Sequence, residues 1–316
     1  MNRFRCLSLT SFFLLPMTIF SQAIIKNYEY LSFFNPAAAG QVDKFAVSGA
    51  HNYYDLAGQV MNTSFGGFEF DLPKMNSGFV FNFDLIRDDR RNYAMVTSSE
   101  IQNLSLNLGY RYRFEIREDF GLSIGAGVKH LRRNTYRKWT GFLSPGFVEE
   151  WEDQIWSMTA GLFVDWNHWG IGFSVNDLTE PSYRYTLFFW DFEEIVPRSY
   201  TFQLFHNLEF TDKFTFRPQF YFGQFSTIGQ NDQRYHFRQY FFTTEFLYGK
   251  KFYFSPGIRS MGSTLPNDYN TISASIQIGG IIINRLQIGA GIEYYFGDSG
   301  FNEITVEGML KYRLRR

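Results

Sequence analysis

The sequence has one cysteine, almost no net charge and no long apolar run, and each shortage excludes a class of protein. Cys6 stands in an N-terminal stretch that we interpret as a cleaved signal peptide. The mature chain is therefore expected to have no disulfide, no redox-active thiol and no cysteine-ligated metal. Lys and Arg total 30 and Asp and Glu total 31, so electrostatics give no reason to expect a nucleic-acid partner.

The shortage of long apolar runs argues against a helical membrane protein. No window after the N-terminus has the 18 or more consecutive apolar residues typical of such a helix, and the mean hydropathy is −0.24. At the N-terminus, Arg3 and Arg5 precede the apolar run 7–20, and small and polar residues follow it. This pattern predicts a signal peptide at 1–22, because the run is shorter than a transmembrane helix and contains Pro16. The exported chain is then either a soluble envelope protein or a β-barrel.

Aromatic residues are abundant, and apolar residues recur with the period of a β-strand. The chain has 38 Phe, 20 Tyr and 6 Trp, residues that are enriched in strands and at membrane interfaces. One example is the segment in which Leu104, Leu106, Leu108, Tyr110, Tyr112 and Phe114 alternate with Ser105, Asn107, Gly109, Arg111 and Arg113. Similar alternation at 272–278, 286–296 and 304–314 predicts strands with one apolar and one hydrated face.

Strand length and strand number favour a transmembrane barrel over a soluble sandwich. Several segments run ten residues or more, which matches the about 9–11 residues that a tilted strand needs to cross a bilayer. We predict an all-β fold, a transmembrane antiparallel up-and-down barrel of about 14 strands occupying 43–316. The strands are centred on 43–52, 62–72, 77–87, 98–113, 120–132, 154–166, 169–176, 199–210, 213–224, 237–248, 251–260, 270–279, 284–296 and 303–314.

The connections between these segments alternate between short and long. Short links are predicted at 73–76, 115–119, 167–168, 211–212, 249–250 and 279–283, and longer ones at 53–61, 88–97, 133–153, 177–198, 225–236, 261–269 and 297–302. Outer-membrane barrels have short periplasmic turns and longer external loops. The pattern therefore predicts a location in the outer membrane, in contact with its lipid, with both termini in the periplasm.

An Asn-Pro motif stands between the signal peptide and the first strand. The chain reads Asn-Pro-Ala-Ala-Ala-Gly at 35–40, after an aromatic stretch that includes Tyr28, Tyr30, Phe33 and Phe34. Proline fixes φ, asparagine can bond its own following backbone, and small residues allow close approach to other backbone. We expect segment 23–42 to be a periplasmic or plug segment docked under or inside the barrel, although direct contact with a ligand or partner is the alternative.

This motif, with matching residues Asn35, Pro36, Ala37, Ala39 and Gly40, resembles the start of the PorP/SprF family of Bacteroidetes outer-membrane proteins. The resemblance implies a role in type IX secretion and gliding motility, with export or surface attachment of cargo proteins that carry C-terminal sorting domains. It also implies contact with secretion components and with periplasmic ring or linker proteins. A similar Asn-Pro-Ala element occurs in transport barrels of the FadL type, so a channel for a hydrophobic solute is the alternative function.

The sequence shows no pattern that predicts an enzyme or a cofactor. It has no Gly-x-Ser-x-Gly elbow and no His-Glu-x-x-His, and its five histidines are scattered singly. The loop at 181–197 mixes acidic residues with aromatic residues that could contact a partner or pack on the barrel mouth, namely Tyr183, Tyr185, Phe188, Phe189 and Trp190. Charges predicted to face the lumen have mixed sign and are expected to pair across it: Arg111, Arg113, Arg217, Glu245, Arg285, Glu293, Glu307 and Lys311.

Overall fold

The computed structural model describes residues 31–41, 44–56, 59–93, 96–139, 148–187, 190–228, 234–249, 251–263, 271–282, 285–297 and 303–314. The predicted signal peptide lies outside these residues. Two short helical turns, α1 (Leu31–Phe34) and a 3-10 turn (Pro36–Ala38), precede the strands. The strands are β1 (Phe45–Leu56), β2 (Gln59–Leu72), β3 (Ser77–Tyr93), β4 (Val96–Arg117), β5 (Phe120–Trp139), β6 (Val148–Trp166), β7 (Trp169–Asn176), β8 (Ser182–Leu187), β9 (Trp190–Ile195), β10 (Ser199–His206), β11 (Leu208–Thr211), β12 (Phe214–Ile228), β13 (Arg234–Tyr248), β14 (Phe252–Ser263), β15 (Thr271–Ile282), β16 (Leu286–Gly297) and β17 (Glu303–Leu314).

These strands form a closed antiparallel barrel of 14 strands, which confirms the predicted fold class and strand number. Each barrel strand pairs with its neighbour in sequence, except that β7 pairs with β10, and β11 continues β10 along the edge of β12. The first and last strands close the wall, because β1 pairs with β17 from Phe45 opposite Leu314 to Tyr54 opposite Thr305. Closure leaves no free sheet edge around the barrel.

Alternation along each strand separates a lipid-facing surface from a packed interior. On β4, the outward-facing Leu108 is 58 % exposed, whereas the inward-facing Arg111 on the same strand is 1 % exposed. On β14, Ile258 is 61 % exposed and Arg259 is 1 % exposed. The apolar residues therefore cover the outer wall, and the polar residues are buried inside, as period-two alternation requires in a transmembrane barrel.

The two ends of the barrel differ in their connections. At the turn end, β2 and β3, β4 and β5, β6 and β7, and β11 and β12 are joined by short turns such as those at 118–119 and 167–168. The N-terminal side of β1 and the C-terminus of β17 meet at this same end, where the Lys44 amide donates to the Leu314 carbonyl at 2.9 Å. The connections from β13 to β14 and from β15 to β16 also lie at this end. The opposite end, which we name the loop end, has the remaining connections. None of the helices in the described ranges is long and apolar enough to span a bilayer.

Several predicted loops are shorter than expected because their flanking strands continue. β3 extends to Tyr93 and β4 begins at Val96, so most of the predicted loop 88–97 is paired strand. Likewise, β1 and β2 extend into 53–61, and β5 and β6 extend into 133–153. The outward face of these extensions is polar, for instance at Arg87 and Glu100, whose side chains approach to 3.2 Å. A hairpin beyond the bilayer needs no apolar face, and apolar alternation is therefore a poor guide to where it ends.

The predicted loop 177–198 also contains strands. β8 and β9 lie between β7 and β10 in the chain and pair in a separate two-stranded sheet, with β8 against β6. Asp177 and Glu180, at the junction between β7 and β8, have φ values of +56° and +46°, so the chain leaves the barrel wall there. The Lys129 ammonium on β5 forms an ion pair with the Asp177 carboxylate, at a distance of 3.1 Å.

Candidate functional site

The Asn-Pro motif at 35–40, named here the Asn-Pro segment, lies inside the barrel. Asn35 caps the 3-10 turn, because its Oδ1 accepts a hydrogen bond from the Ala37 amide at 3.0 Å. Pro36 occupies the first position of the turn, where a missing N–H costs nothing. Asn35, Ala37 and Ala39 have no exposed surface, and Ala38 is 1 % exposed. The segment therefore folds as a compact turn that the barrel encloses.

Asn35 fastens this turn to the wall. Its Nδ2 donates to the carbonyl oxygens of Leu162 at 3.0 Å and Phe173 at 3.4 Å, which are paired residues on β6 and β7. The Ser174 hydroxyl donates to the Phe34 carbonyl at 2.6 Å. Each contact joins the segment to strands far away in sequence, so the turn is held by the assembled barrel.

Glycines on five consecutive strands make room for the segment, and together we name them the glycine track: Gly78, Gly109, Gly125, Gly161 and Gly172, on β3 to β7. A Cβ built on Gly125 would lie 2.3 Å from the Ala37 nitrogen, and one on Gly161 would lie 2.0 Å from Asn35 Oδ1. A Cβ on Gly78 would lie 2.5 Å from the Ala39 oxygen. Real Cβ contacts are never that short, so the Asn-Pro segment occupies the space where these strands lack side chains.

The C-terminal end of the segment is tied to the seam where the barrel closes. Gly40 has a φ of +66°, which favours glycine, and its amide donates to Glu69 Oε2 on β2 at 3.1 Å. The other oxygen of Glu69 lies 3.7 Å from the Lys311 Nζ on β17. Gln41 donates to the Ser123 hydroxyl on β5 at 3.0 Å. The Glu69 carboxylate on β2 therefore links the Asn-Pro segment to the last strand, β17.

The side of the lumen formed by β14 to β17 is filled by buried charges. Arg259 Nη2 lies 2.9 Å from Glu293 Oε2, and neither side chain has exposed surface. Tyr295 donates to Glu293 at 3.0 Å, the Ser273 hydroxyl also bonds it, and the guanidinium lies 5.3 Å from the Phe241 ring centre. Carboxylate and guanidinium satisfy each other here where neither reaches water.

Several of the charges predicted to pair across the lumen are paired, but with residues on adjacent or next-adjacent strands of the same wall. Arg111 contacts Asp71 at 2.6 Å, Arg113 contacts Asp165 at 3.2 Å, and Arg217 contacts Glu245 at 2.7 Å. The prediction for Arg285 is wrong, because β16 begins one residue later and Arg285 is exposed in the turn end.

Sequence reasoning missed four partners in this network, which are Glu69, Asp71, Asp165 and Arg259. Each stands at a hydrated position of an alternating strand, as Glu69 does between Phe68 and Phe70. A search for single charges in alternating strands would have found them. The same search over inward-facing glycines would have found the glycine track.

Of the five aromatic residues predicted to contact a partner, three lie in the β8–β9 hairpin and two lie outside the described residues. Tyr183 is 3 % exposed and packs against Leu131 and Ile155 on the inner wall, with the Arg133 guanidinium 4.4 Å from its ring centre. Burial raises the pKa of the Tyr183 phenol to about 12, so its hydroxyl stays protonated. Tyr185 belongs to β8 and Trp190 to β9, whereas Phe188 and Phe189 lie outside the described residues.

A closed wall with an apolar exterior and a filled polar interior defines an outer-membrane β-barrel. The chain belongs to the PorP/SprF family, because the family described as "Type IX secretion system membrane protein PorP/SprF" matches residues 21–312. This family membership confirms the resemblance inferred from the Asn-Pro motif.

Solved structures with the same fold include a channel described as "CymD monoaromatic hydrocarbon channel", with a TM-score of 0.60, 10 % identity, and coverage of 91 % of this chain and 93 % of that one. A FadL homologue of Pseudomonas aeruginosa has a TM-score of 0.58, 12 % identity, and coverage of 89 % and 93 %. The toluene transporter TbuX of Ralstonia pickettii has a TM-score of 0.54, 10 % identity, and coverage of 89 % and 92 %. At such identities the likeness shows the fold alone. Among curated proteins, none matches the sequence.

Proposed function

We propose that this barrel is a non-enzymatic component of the type IX secretion and gliding machinery that assists export or surface attachment of specific cargo proteins. Family membership carries the proposal. The buried Asn-Pro segment and the buried ion pairs support it, since a lumen filled at both places suits a scaffold better than an open pore. A transporter for a hydrophobic solute is supported only by the fold likeness and by the Asn-Pro-Ala element that FadL-type barrels share.

In this proposal the segment 23–42 is a plug, the segment 1–22 is a cleaved signal peptide, and the turn end faces the periplasm. The turn end would meet periplasmic ring or linker proteins. The loop end would meet cargo with C-terminal sorting domains, with the β8–β9 hairpin as its contact. The hairpin offers a polar face for this, because the Arg184 side chain is 80 % exposed and that of Glu193 is 53 % exposed. Tyr183 anchors the base of the hairpin, and the partner contact would be made by the rest of it.

Deletion of the gene is expected to remove specific cargo from the cell surface. The measurement is quantitative proteomics of surface-shaved cells and culture medium, restricted to proteins with C-terminal sorting domains. A strain lacking an unrelated outer-membrane barrel controls for general envelope damage. Normal display and release of every such cargo protein in the deletion strain would refute the proposed function.

The orientation is tested by cysteine labelling in intact cells. Arg184→Cys in the hairpin is expected to react with a membrane-impermeant maleimide, and Met75→Cys in the turn end is expected to react only after the cells are lysed. Both positions are exposed, with Met75 at 63 %, so a difference in labelling reports the side of the membrane. Labelling of Met75→Cys in intact cells, with Arg184→Cys protected, would reverse the proposed orientation.

A further inference from the structure

The turn end carries its charges unevenly around the rim of the barrel. Four neighbouring connections are basic: the turn from β13 to β14, the turn from β15 to β16, the seam between β17 and β1, and the turn from β2 to β3. In sequence, these connections contain one acidic residue, Asp43, and the basic residues Lys44, Lys74, Lys250, Lys251, Arg285, Arg315 and Arg316. We name the four basic residues that the structure describes, Lys44, Lys74, Lys251 and Arg285, the basic arc.

The other three connections at this end have no net positive charge. The turn from β4 to β5 has two acidic residues, Glu118 and Asp119, and the charges of Glu115 and Arg117 just before it offset each other. The turn from β6 to β7 has no Asp, Glu, Lys or Arg, and the turn from β11 to β12 has one charge of each sign. One side of the rim is therefore strongly basic, although the whole chain has a formal net charge of −1.

Backbone pairing fixes the basic arc on the rim. The Lys251 carbonyl accepts a hydrogen bond from the Ile281 amide at 2.6 Å, and the Arg285 carbonyl accepts one from the Arg313 amide at 2.8 Å. The backbone of Lys44 bonds to β17 on one side and to β2 on the other. Because neighbouring strands lie about 4.8 Å apart, the four connections extend along about 30 Å of the rim.

The side chains of the basic arc are exposed and form no ion pair with another described residue. The lumen cations Arg111, Arg217 and Arg259, by contrast, are each paired with a carboxylate. Neighbouring connections are about 10 Å apart, close to the screening length of about 8 Å at physiological ionic strength, so repulsion within the arc is weak. An acidic surface placed against this side of the rim would meet all four charges at once.

We propose that the basic arc is a docking surface for the acidic face of a periplasmic protein. Complementary charge of this kind speeds association and fixes the orientation of the partner. A one-sided protein partner is favoured over lipid, because anionic headgroups surround the whole rim and the acidic turn at 118–119 would then lie against like charge. The inference deepens the proposed function and rests on the orientation given there, with the turn end in the periplasm.

A photocross-linker tests the docking surface in growing cells that make the full-length barrel. With p-benzoylphenylalanine in place of Met75, which is 63 % exposed beside Lys74, irradiation should give a discrete protein adduct. Mass spectrometry of the cross-linked peptide should find it rich in Asp and Glu. Heat-modifiable gel mobility checks that each variant is inserted.

Charge reversal away from the cross-linker shows whether the arc holds the partner. Lys251→Glu with Arg285→Glu leaves the β2–β3 turn unchanged and should lower the adduct yield several-fold, whereas Lys251→Arg with Arg285→Lys should keep it. Arg117→Glu with Lys213→Glu is the matched control, because it changes the net charge by the same amount at exposed positions of the same rim outside the arc. This control should leave the yield nearly unchanged.

The proposal is overturned if Met75 gives no protein adduct or only a lipid adduct, if the arc and control variants lower the yield equally, or if the cross-linked peptide is not acidic. The deletion strain tests the proposed function separately. Normal cargo display in that strain, together with a charge-dependent adduct, would refute the export role and leave the docking surface. Loss of cargo without any adduct would do the reverse.

Discussion

Gly125→Leu is expected to drive the Asn-Pro segment out of the glycine track while the barrel wall remains closed. The new side chain would begin 2.3 Å from the Ala37 nitrogen and 2.5 Å from the Pro36 carbonyl carbon, and these backbone atoms cannot rotate away. Overpacking of this kind costs about 1–3 kcal/mol when the structure absorbs it. Strand β5 is fixed by pairing with β4 and β6 along its length, whereas the segment is fixed mainly by a few hydrogen bonds. The segment should therefore be the part that moves.

A buried cysteine in the segment reports this movement. Ala38→Cys, placed in a Cys6→Ser background, should resist a small maleimide in the otherwise unmodified barrel, because Ala38 is 1 % exposed. Adding Gly125→Leu should make it react quickly. Gly308→Leu is the matched control, since a Cβ on Gly308 meets no atom within 4 Å. If the cysteine of Ala38→Cys stayed protected in a correctly inserted Gly125→Leu barrel, the Asn-Pro segment would not be bound in the glycine track.

The barrel wall could be predicted from sequence because every strand lies in the same two environments. Lipid on one side and a filled lumen on the other impose the same alternation on β4, β16 and β17, so their positions follow from the pattern. β7 and β17 have the predicted bounds, and most other strands are longer than predicted at the loop end. Where a hairpin extends beyond the bilayer, its outward-facing residues no longer need to be apolar. The sequence pattern therefore no longer shows where the strand ends.

The interior of the site could be predicted only in part, because it depends on strand register. Asn35 and Pro36 stand out in the sequence, but Gly125 faces Gly161 only once β5 and β6 are paired in their observed register. A shift of one residue in this register would turn the glycine of one strand toward lipid. The β8–β9 hairpin was also missed, because its residues mix charge and aromatic character without clean alternation.

Arg259→Met is expected to destabilise the barrel more than any other loss of a single ion pair among the described residues. The substitution leaves the Glu293 carboxylate with no exposed surface and without its guanidinium partner, although Ser273 and Tyr295 still bond it. Removing one member of a fully buried pair typically costs about 3–5 kcal/mol, because an uncompensated charge remains in a medium of low dielectric constant. The loss should appear as a large fall in the urea midpoint of the purified barrel, followed by tryptophan fluorescence.

Two comparisons separate buried charge from lost packing. Arg132→Met breaks a pair of similar length, 2.8 Å to Glu152, but both side chains are about two-fifths exposed, at 41 % and 42 %. Exposed pairs contribute about 0–1 kcal/mol, so this midpoint should hardly move. The double variant Arg259→Met with Glu293→Leu should recover most of the loss, because no charge then stays buried. Equal midpoints for Arg259→Met and Arg132→Met would show that the charged side of the lumen is hydrated.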